Sequence, residues 1–304
     1  MRQPLGPGSA LQAVRDDSNF ERNWLMPRAH NGNVEIEYQS FGDDRPETVL
    51  LVNGLGSQMT RWPEAFCEKL AAKGYRAIRF DNRDTGLSTW PSEPYTLKDM
   101  ASDGVAVLDA AGVRKAHIAG VSMGGMIVQR LALDHPGRVL SMTSIMSTTG
   151  AADAFRSTPE AAAVLNVPPP DPSADFEAFV LNRMANARTI GSPAHPWTDE
   201  ENRARVIAEY RRAFNPVGVG RQRKAVEADG DRTAALGGLK IPVVVLHGAD
   251  DPLLMKVGGE ATAAAIPGAE LRIIPGMGHD LPPGLYDIFV DAIVTAASRA
   301  KANV

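Results

Sequence analysis

Short apolar runs and longer amphipathic ones alternate along much of this chain. Val49-Leu50-Leu51-Val52, Ala77-Ile78-Arg79-Phe80 and Ala116-His117-Ile118-Ala119 have the length and composition of buried strands, and Ile145-Met146 ends another. Ile241 to Leu246 and Leu271 to Ile274 repeat the pattern near the C-terminus. Between the strands, Met126 to Leu133 reads as a helix, and Val105, Leu108 and Ala111 recur at helical spacing. From about residue 34 to 147 the rhythm predicts an α/β fold, with a mostly parallel sheet covered by helices on both faces. The rhythm then stops. Between Thr148 and Gly238 no strand is convincing, Pro168-Pro169-Pro170 breaks the chain, and amphipathic pieces follow at Phe176 to Ala187 and Glu201 to Phe214.

The chemistry gathers where predicted strands end. Gly120-Val121-Ser122-Met123-Gly124 reads G-x-S-x-G between a strand and a helix, the context of a nucleophile elbow. Such a turn lifts one hydroxyl clear of the sheet, and side chains at the flanking glycines would crowd it. A serine hydroxyl is a weak nucleophile until a base takes its proton and a third group orients that base. On this scaffold the partners follow in the order Ser, Asp or Glu, His. The acid expected is Asp251: His247-Gly248-Ala249-Asp250-Asp251-Pro252 follows a predicted strand, and Gly248 to Asp251 has the G-x-x-D-P spacing usual for this acid. The adjacent Asp250 is the alternative, otherwise a turn residue. The base expected is His279, in the loop Pro275-Gly276-Met277-Gly278-His279 after another strand. His30, His117, His135, His195 and His247 have plainer readings, although His247 could help shape the acid loop. Acyl transfer also needs backbone N–H groups aimed at the developing oxyanion. Met123, after the serine, and Leu55, in Asn53-Gly54-Leu55-Gly56, are the donors expected.

Taken in order, these motifs and Asp81-Asn82-Arg83-Asp84-Thr85-Gly86-Leu87-Ser88 resemble the α/β-hydrolase superfamily. Within it, the Asp81 to Ser88 turn and the His279 loop look most like the aclacinomycin methylesterase group and related bacterial carboxylesterases and lipases. The likeness covers roughly residues 30–147 and 239–302. It implies a helical cap inserted before the acid-bearing strand, and a division into an N-terminal tail at 1–29, a core at 30–147 and 239–304, and a cap at 148–238. In the family the D-x-R-x-x-G-x-S turn is structural, so Arg83 and Ser88 are expected to brace loops. The oxyanion loop usually begins His-Gly; Asn53 stands in that place, and its side-chain amide is expected to hold the loop instead.

Composition narrows the rest. A formal net charge of −4 gives no case for nucleic acid or an anionic membrane surface, and no segment is long and apolar enough to span a bilayer. Met1 to Phe20 lacks the apolar core of a signal peptide, and the one cysteine, Cys67, has no partner for a disulfide within the chain, so a cytoplasmic location is expected. No His/Cys cluster has metal-ligand spacing, and neither metal nor organic cofactor is expected. Oligomeric state is not readable. Arg203, Arg205, Arg211, Arg212, Arg221, Arg223 and Lys224 read either as a field steering an acidic substrate or as a solvated helix face. Among Trp62, Trp90, Trp197, Met123, Met126 and Met277, the methionines beside the expected catalytic residues, Met123 and Met277, are the ones read as lining a substrate pocket.

The leading expectation is a serine hydrolase that cleaves small-molecule carboxylic esters through an acyl-enzyme. C–C bond hydrolysis or peracid formation by the same triad is the alternative, and a ligand-binding receptor on a hydrolase scaffold is a third. Family members that use an aspartate nucleophile are excluded by Ser122.

Overall fold

The computed structural model describes residues 26–301. The expectation of a tail at 1–29 falls largely outside them. One eight-stranded sheet organises the chain, in the order β1-β2-β4-β3-β5-β6-β7-β8. The strands are β1 (Arg28–Asn31), β2 (Val34–Phe41), β3 (Glu47–Val52), β4 (Tyr75–Phe80), β5 (Ala116–Val121), β6 (Val139–Ile145), β7 (Val243–Gly248) and β8 (Glu270–Ile274). The pairs β1/β2 and β2/β4 are antiparallel, and every pair from β4 through β8 is parallel.

The central strands read as unbroken apolar runs because both faces are covered. Side chains alternate between faces along a strand, and the two faces feed different cores. Leu50, Val52, Ile78, Phe80 and Ile118 enter one cluster, while Val49, Leu51, Ala77, Ala119 and Val121 enter the other. The first is closed by α2 (Leu97–Ala110) and α3 (Met123–Asp134), the second by α1 (Glu64–Ala72) and α10 (Tyr286–Lys301). Helix α2 starts where its sequence demands. The Thr96 hydroxyl accepts from Asp99 N–H while the Asp99 carboxylate accepts from Thr96 N–H, a complete capping box.

Between β6 and β7 lie only helices: α4 (Pro159–Asn166), α5 (Phe176–Ile190), α6 (Asp199–Arg212), α7 (Pro216–Asp229) and α8 (Thr233–Leu236). Pro168 to Pro170 separate α4 from α5. Helix α5 runs past the expected Ala187 to Ile190, and α6 stops at Arg212, short of the expected Phe214. A small separate cluster of Phe179, Val180, Met184 and Val206 holds α5 to α6. Helix α9 (Val257–Ala265) completes the set. Among the described residues, no helix is long and apolar enough to cross a membrane.

One buried strand residue makes stability depend on pH. His117 on β5 is 1% exposed, its Nδ1 lies 2.8 Å from Ser141 Oγ, and Nε2 has no hydrogen-bond partner. Burial pushes the imidazole down from the usual 6.5 to about 4, against the pull of Glu47. The unfolded chain therefore binds the proton first as pH falls. The stability this group contributes is complete above pH 6.5 and is lost progressively down to about 4. Its full size is about 3 kcal/mol. Urea melts of His117→Gln should show a flatter acid limb in that window; an unchanged slope would remove His117 as its cause.

Candidate active site

Ser122 stands at the junction of β5 and α3 with φ 56° and ψ −122°, a left-handed setting costly for any residue with a Cβ. The surroundings leave it no alternative. A Cβ on Gly120 would come within 2.1 Å of Gly124 O, and one on Gly124 within 2.3 Å of Val52 O, so the strand, the turn and the helix meet backbone to backbone. Ser122 N–H donates to Ile145 O at 3.0 Å, and Ser147 Oγ–H donates to Ser122 O at 2.8 Å, which ties the turn to the end of β6. The serine is half-buried.

The two partner loops follow β7 and β8, at the same carboxyl end of the sheet, where ligands bind in open α/β folds. His279 Nδ1 lies 2.7 Å from Asp251 Oδ2, and the other carboxylate oxygen accepts from Leu253 and Leu254 N–H at 2.9 Å each. Burial alone would raise the Asp251 pKa. The opposing charge of His279 and hydrogen bonds from His247 and His279 outweigh it and hold the carboxyl at about 2, so it is ionised at neutral pH. An acceptor at Nδ1 fixes the tautomer that carries hydrogen there and turns Nε2 outward as the basic nitrogen. Asp250 has a different task. It is exposed, its Oδ2 accepts from Gly276 N–H at 2.7 Å, and its own N–H donates to Met277 O, stapling the acid loop to the histidine loop. Among the described residues, no hydrogen bond joins the Ser122 hydroxyl to His279. Such contacts often tighten only with substrate in place.

The expected oxyanion donors lie on either side of the serine. Met123 N–H is at the first position of α3, where an amide has no partner within the helix and the helix dipole favours negative charge. Leu55 lies in a turn closed by Ser57 N–H to Gly54 O at 3.2 Å, and a Cβ on Gly54 would be 3.2 Å from Ser122 Cβ. Neither amide has an acceptor among the described residues. The expectation for Asn53 is corrected: its side chain is fully buried, and neither Nδ2 nor Oδ1 has a partner. The loop is held through its backbone instead, by Asn82 Nδ2–H to Asn53 O at 3.0 Å. Met277 is fully buried in the same cluster as Val121 and Met146 and supports the His279 loop from beneath. Trp62 and Met126 are core side chains, and Trp90 is 47% exposed. Among the described residues, no three His, Cys, Asp or Glu side chains converge as metal ligands would.

The D-x-R-x-x-G-x-S turn braces as expected. Arg83 holds Asp103 of α2 through two bonds of 2.7 Å, and Ser88 Oγ–H donates to Asp81 O while accepting from Glu37 N–H. A Cβ on Gly86 would overlap the Asp81 carboxylate at 2.0 Å. The turn also does what the sequence did not reveal. Its two aspartates receive the arginines of the helical segment: Arg212 reaches Asp81 at 2.6 Å, and Arg221 grips Asp84 with bonds of 2.8 and 2.5 Å. Arg203 pairs with Glu177, and Arg223 with Asn166. For Arg212 and Arg221 both readings, steering field and solvated face, give way to docking on the core, while Arg203 and Arg223 tie one helix of the segment to another at its exposed surface. Asp280 was missed as well. It is half-buried, accepts from Ser192 N–H at 3.0 Å, and Ser192 Oγ in turn accepts from Gly278 N–H at 2.9 Å. With His279 N–H donating to Ile190 O at 2.6 Å, these bonds seat the end of α5 on the histidine loop. The only signal in the sequence is a carboxylate directly after the histidine.

Comparison with known proteins agrees with this fold. A family model described as alpha/beta hydrolase fold matches residues 47–282. The rhodomycin D methylesterase DauP of Streptomyces sp. strain C5 is 32% identical over 86% of this chain and 94% of its own, and DnrP of Streptomyces peucetius, of the same description, is 31% identical over 86% and 95%. The solved structure of the meta-cleavage product hydrolase CumD from Pseudomonas fluorescens IP01 superposes with a TM-score of 0.76 at 22% identity, over 90% of this chain and 98% of that one, a likeness of fold. With the family model spanning both the serine turn and the acid and histidine loops, this chain belongs to the α/β-hydrolase fold family.

Proposed function

We propose that the protein is a serine hydrolase that cleaves small-molecule carboxylic esters, with Ser122 as nucleophile, His279 as base and Asp251 as its orienting acid. The observation that carries this reading is the His279 to Asp251 contact of 2.7 Å at the sheet end that also holds Ser122 in a strained turn. Ser122 Oγ attacks the ester carbonyl carbon while its proton passes to His279 Nε2. The carbonyl electron pair moves onto oxygen, where Leu55 and Met123 N–H stabilise it. Each such donor contributes roughly 100- to 1000-fold in rate. Collapse expels the alcohol, which takes the proton from His279 and leaves an acyl-enzyme. Water, deprotonated by the same histidine, releases the acid. Asp251 stays ionised throughout and stabilises the imidazolium. Helices α4 to α8 act as a cap that excludes water and shapes the pocket.

Two relatives described as methylesterases, each aligned over most of its length, support an ester with a small alcohol group. The test is hydrolysis of p-nitrophenyl esters from acetate to palmitate, together with methyl esters of the best acyl groups and labelling by a fluorophosphonate. Burst kinetics with p-nitrophenyl esters, turnover of the matching methyl ester and one equivalent of label at Ser122 are expected. Folded protein that neither turns over esters nor takes up the label would overturn the reading.

A further inference from the structure

We propose that Gln222 of α7 is a positioning residue for the oxyanion hole, coupling the seat of the helical segment to the direction of the Leu55 N–H. This rests on the reading of Leu55 as an oxyanion donor. Gln222 is fully buried, although it projects from a helix that is polar along much of its length. Its Oε1 accepts from Gly56 N–H at 2.7 Å, and its Nε2 donates to Arg83 O at 2.8 Å. The orientation of the amide is unambiguous. A backbone N–H needs an acceptor and a carbonyl needs a donor, and a primary amide supplies one of each.

The contact falls on the loop that matters. Gly54 O accepts from Ser57 N–H, and in a planar trans peptide the N–H points opposite to the C=O, so this bond sets the direction of Leu55 N–H. The next peptide, Leu55 to Gly56, is the middle of that turn, and Gln222 holds its N–H. Gly56 has φ +63°, and a Cβ there would meet Val219 Cγ2 at 2.9 Å, so α7 lies directly on the turn. In the same first two turns of the helix, a Cβ on Gly218 would come within 2.7 Å of Asp84 Cβ and O, and Arg221 is locked to the same aspartate. Helix α7 therefore cannot shift without releasing Gly56. Loss of the Gln222 amide leaves the middle peptide free to rotate and the Leu55 donor imprecisely aimed. The effect belongs to the transition state, where charge is on the oxygen, and not to ground-state binding.

The test compares wild type, Ser122→Ala, Gln222→Met and Gln222→Glu in ester kinetics and in inhibition by a trifluoromethyl ketone. In that adduct Ser122 Oγ bonds to the carbonyl carbon, the hydroxyl proton goes to His279, and the carbonyl pair becomes an alkoxide in the oxyanion hole. For Gln222→Met, kcat is expected to fall about ten- to hundred-fold with KM within about threefold, and ketone affinity to fall by the same factor as kcat/KM. Gln222→Glu keeps an acceptor for Gly56 N–H and, when protonated, a donor for Arg83 O. It should recover ketone affinity, more fully as pH falls. If Gln222→Met does not fold, that pH-dependent affinity of Gln222→Glu carries the test. Ketone affinity unchanged in both variants, or a Glu variant no better than Met at any pH, would overturn the inference while leaving the serine reading intact. A wild type indifferent to the ketone would overturn both.

Discussion

Ser122→Ala is expected to lower kcat on the best ester by about a million-fold, with KM little changed. The substitution removes the atom that bonds to the acyl carbon but leaves the oxyanion donors and the pocket. A residual acceleration of roughly a thousand-fold over the uncatalysed reaction should therefore persist. The burst of product that marks an acyl-enzyme should vanish. Stability should rise slightly or hold, because Ala carries the same φ of 56° but needs no polar partner in a half-buried position. Activity in Ser122→Ala within tenfold of wild type would place the nucleophile elsewhere.

Asp251→Asn is expected to lower kcat by about ten-thousand-fold. An amide at this position presents a donor or a neutral acceptor to His279 Nδ1 and so favours the wrong tautomer, with hydrogen on the nitrogen that must accept the serine proton. It also removes the charge that stabilises the imidazolium. Asp250→Asn keeps an acceptor for Gly276 N–H and should stay within a few-fold of wild type, so the pair of variants separates the adjacent aspartates. The same substitution changes the acid limb of stability. The wild-type carboxyl, held at about 2 against an ordinary 3.8, contributes stability that is complete above the higher value and is lost as pH falls through the lower. Asp251→Asn should lack that dependence. Equal losses in both variants would mean that loop geometry, rather than the charge on Asp251, carries the effect.

Much of this architecture was legible because it is local. Gly120 and Gly124 carry their reason in the covalent geometry of the turn, since any side chain would strike a backbone atom. The choice between Asp250 and Asp251 was open on composition and rested on spacing; the structure puts Asp251 at 2.7 Å from His279 and gives Asp250 the Gly276 amide. Asn53 shows the limit of reasoning by residue type. A buried amide ought to find partners, yet the contact there runs through its main-chain carbonyl, because Asn82 reaches the loop from the neighbouring turn. Arg212 of α6 and Arg221 of α7 mislead in a similar way. A stretch of basic residues looks the same whether it faces water or the core, and what decides is where carboxylates over a hundred residues away come to lie.

By itself the sequence determined the α/β class, the sheet with both faces buried, the helical stretch between β6 and β7, and the strained serine turn with its acid and histidine nominated in order. These follow from periodicity, glycine sterics and spacing, which act over a few residues. Only the tertiary structure decided how the helical segment is fastened: Arg212 on Asp81, Arg221 on Asp84, Ser192 on Asp280, and Gln222 between Gly56 and Arg83. Those bonds join residues that are far apart along the chain and have no period. Each depends on the three-dimensional approach of elements packed by their apolar faces, which then bury polar groups that must find one another.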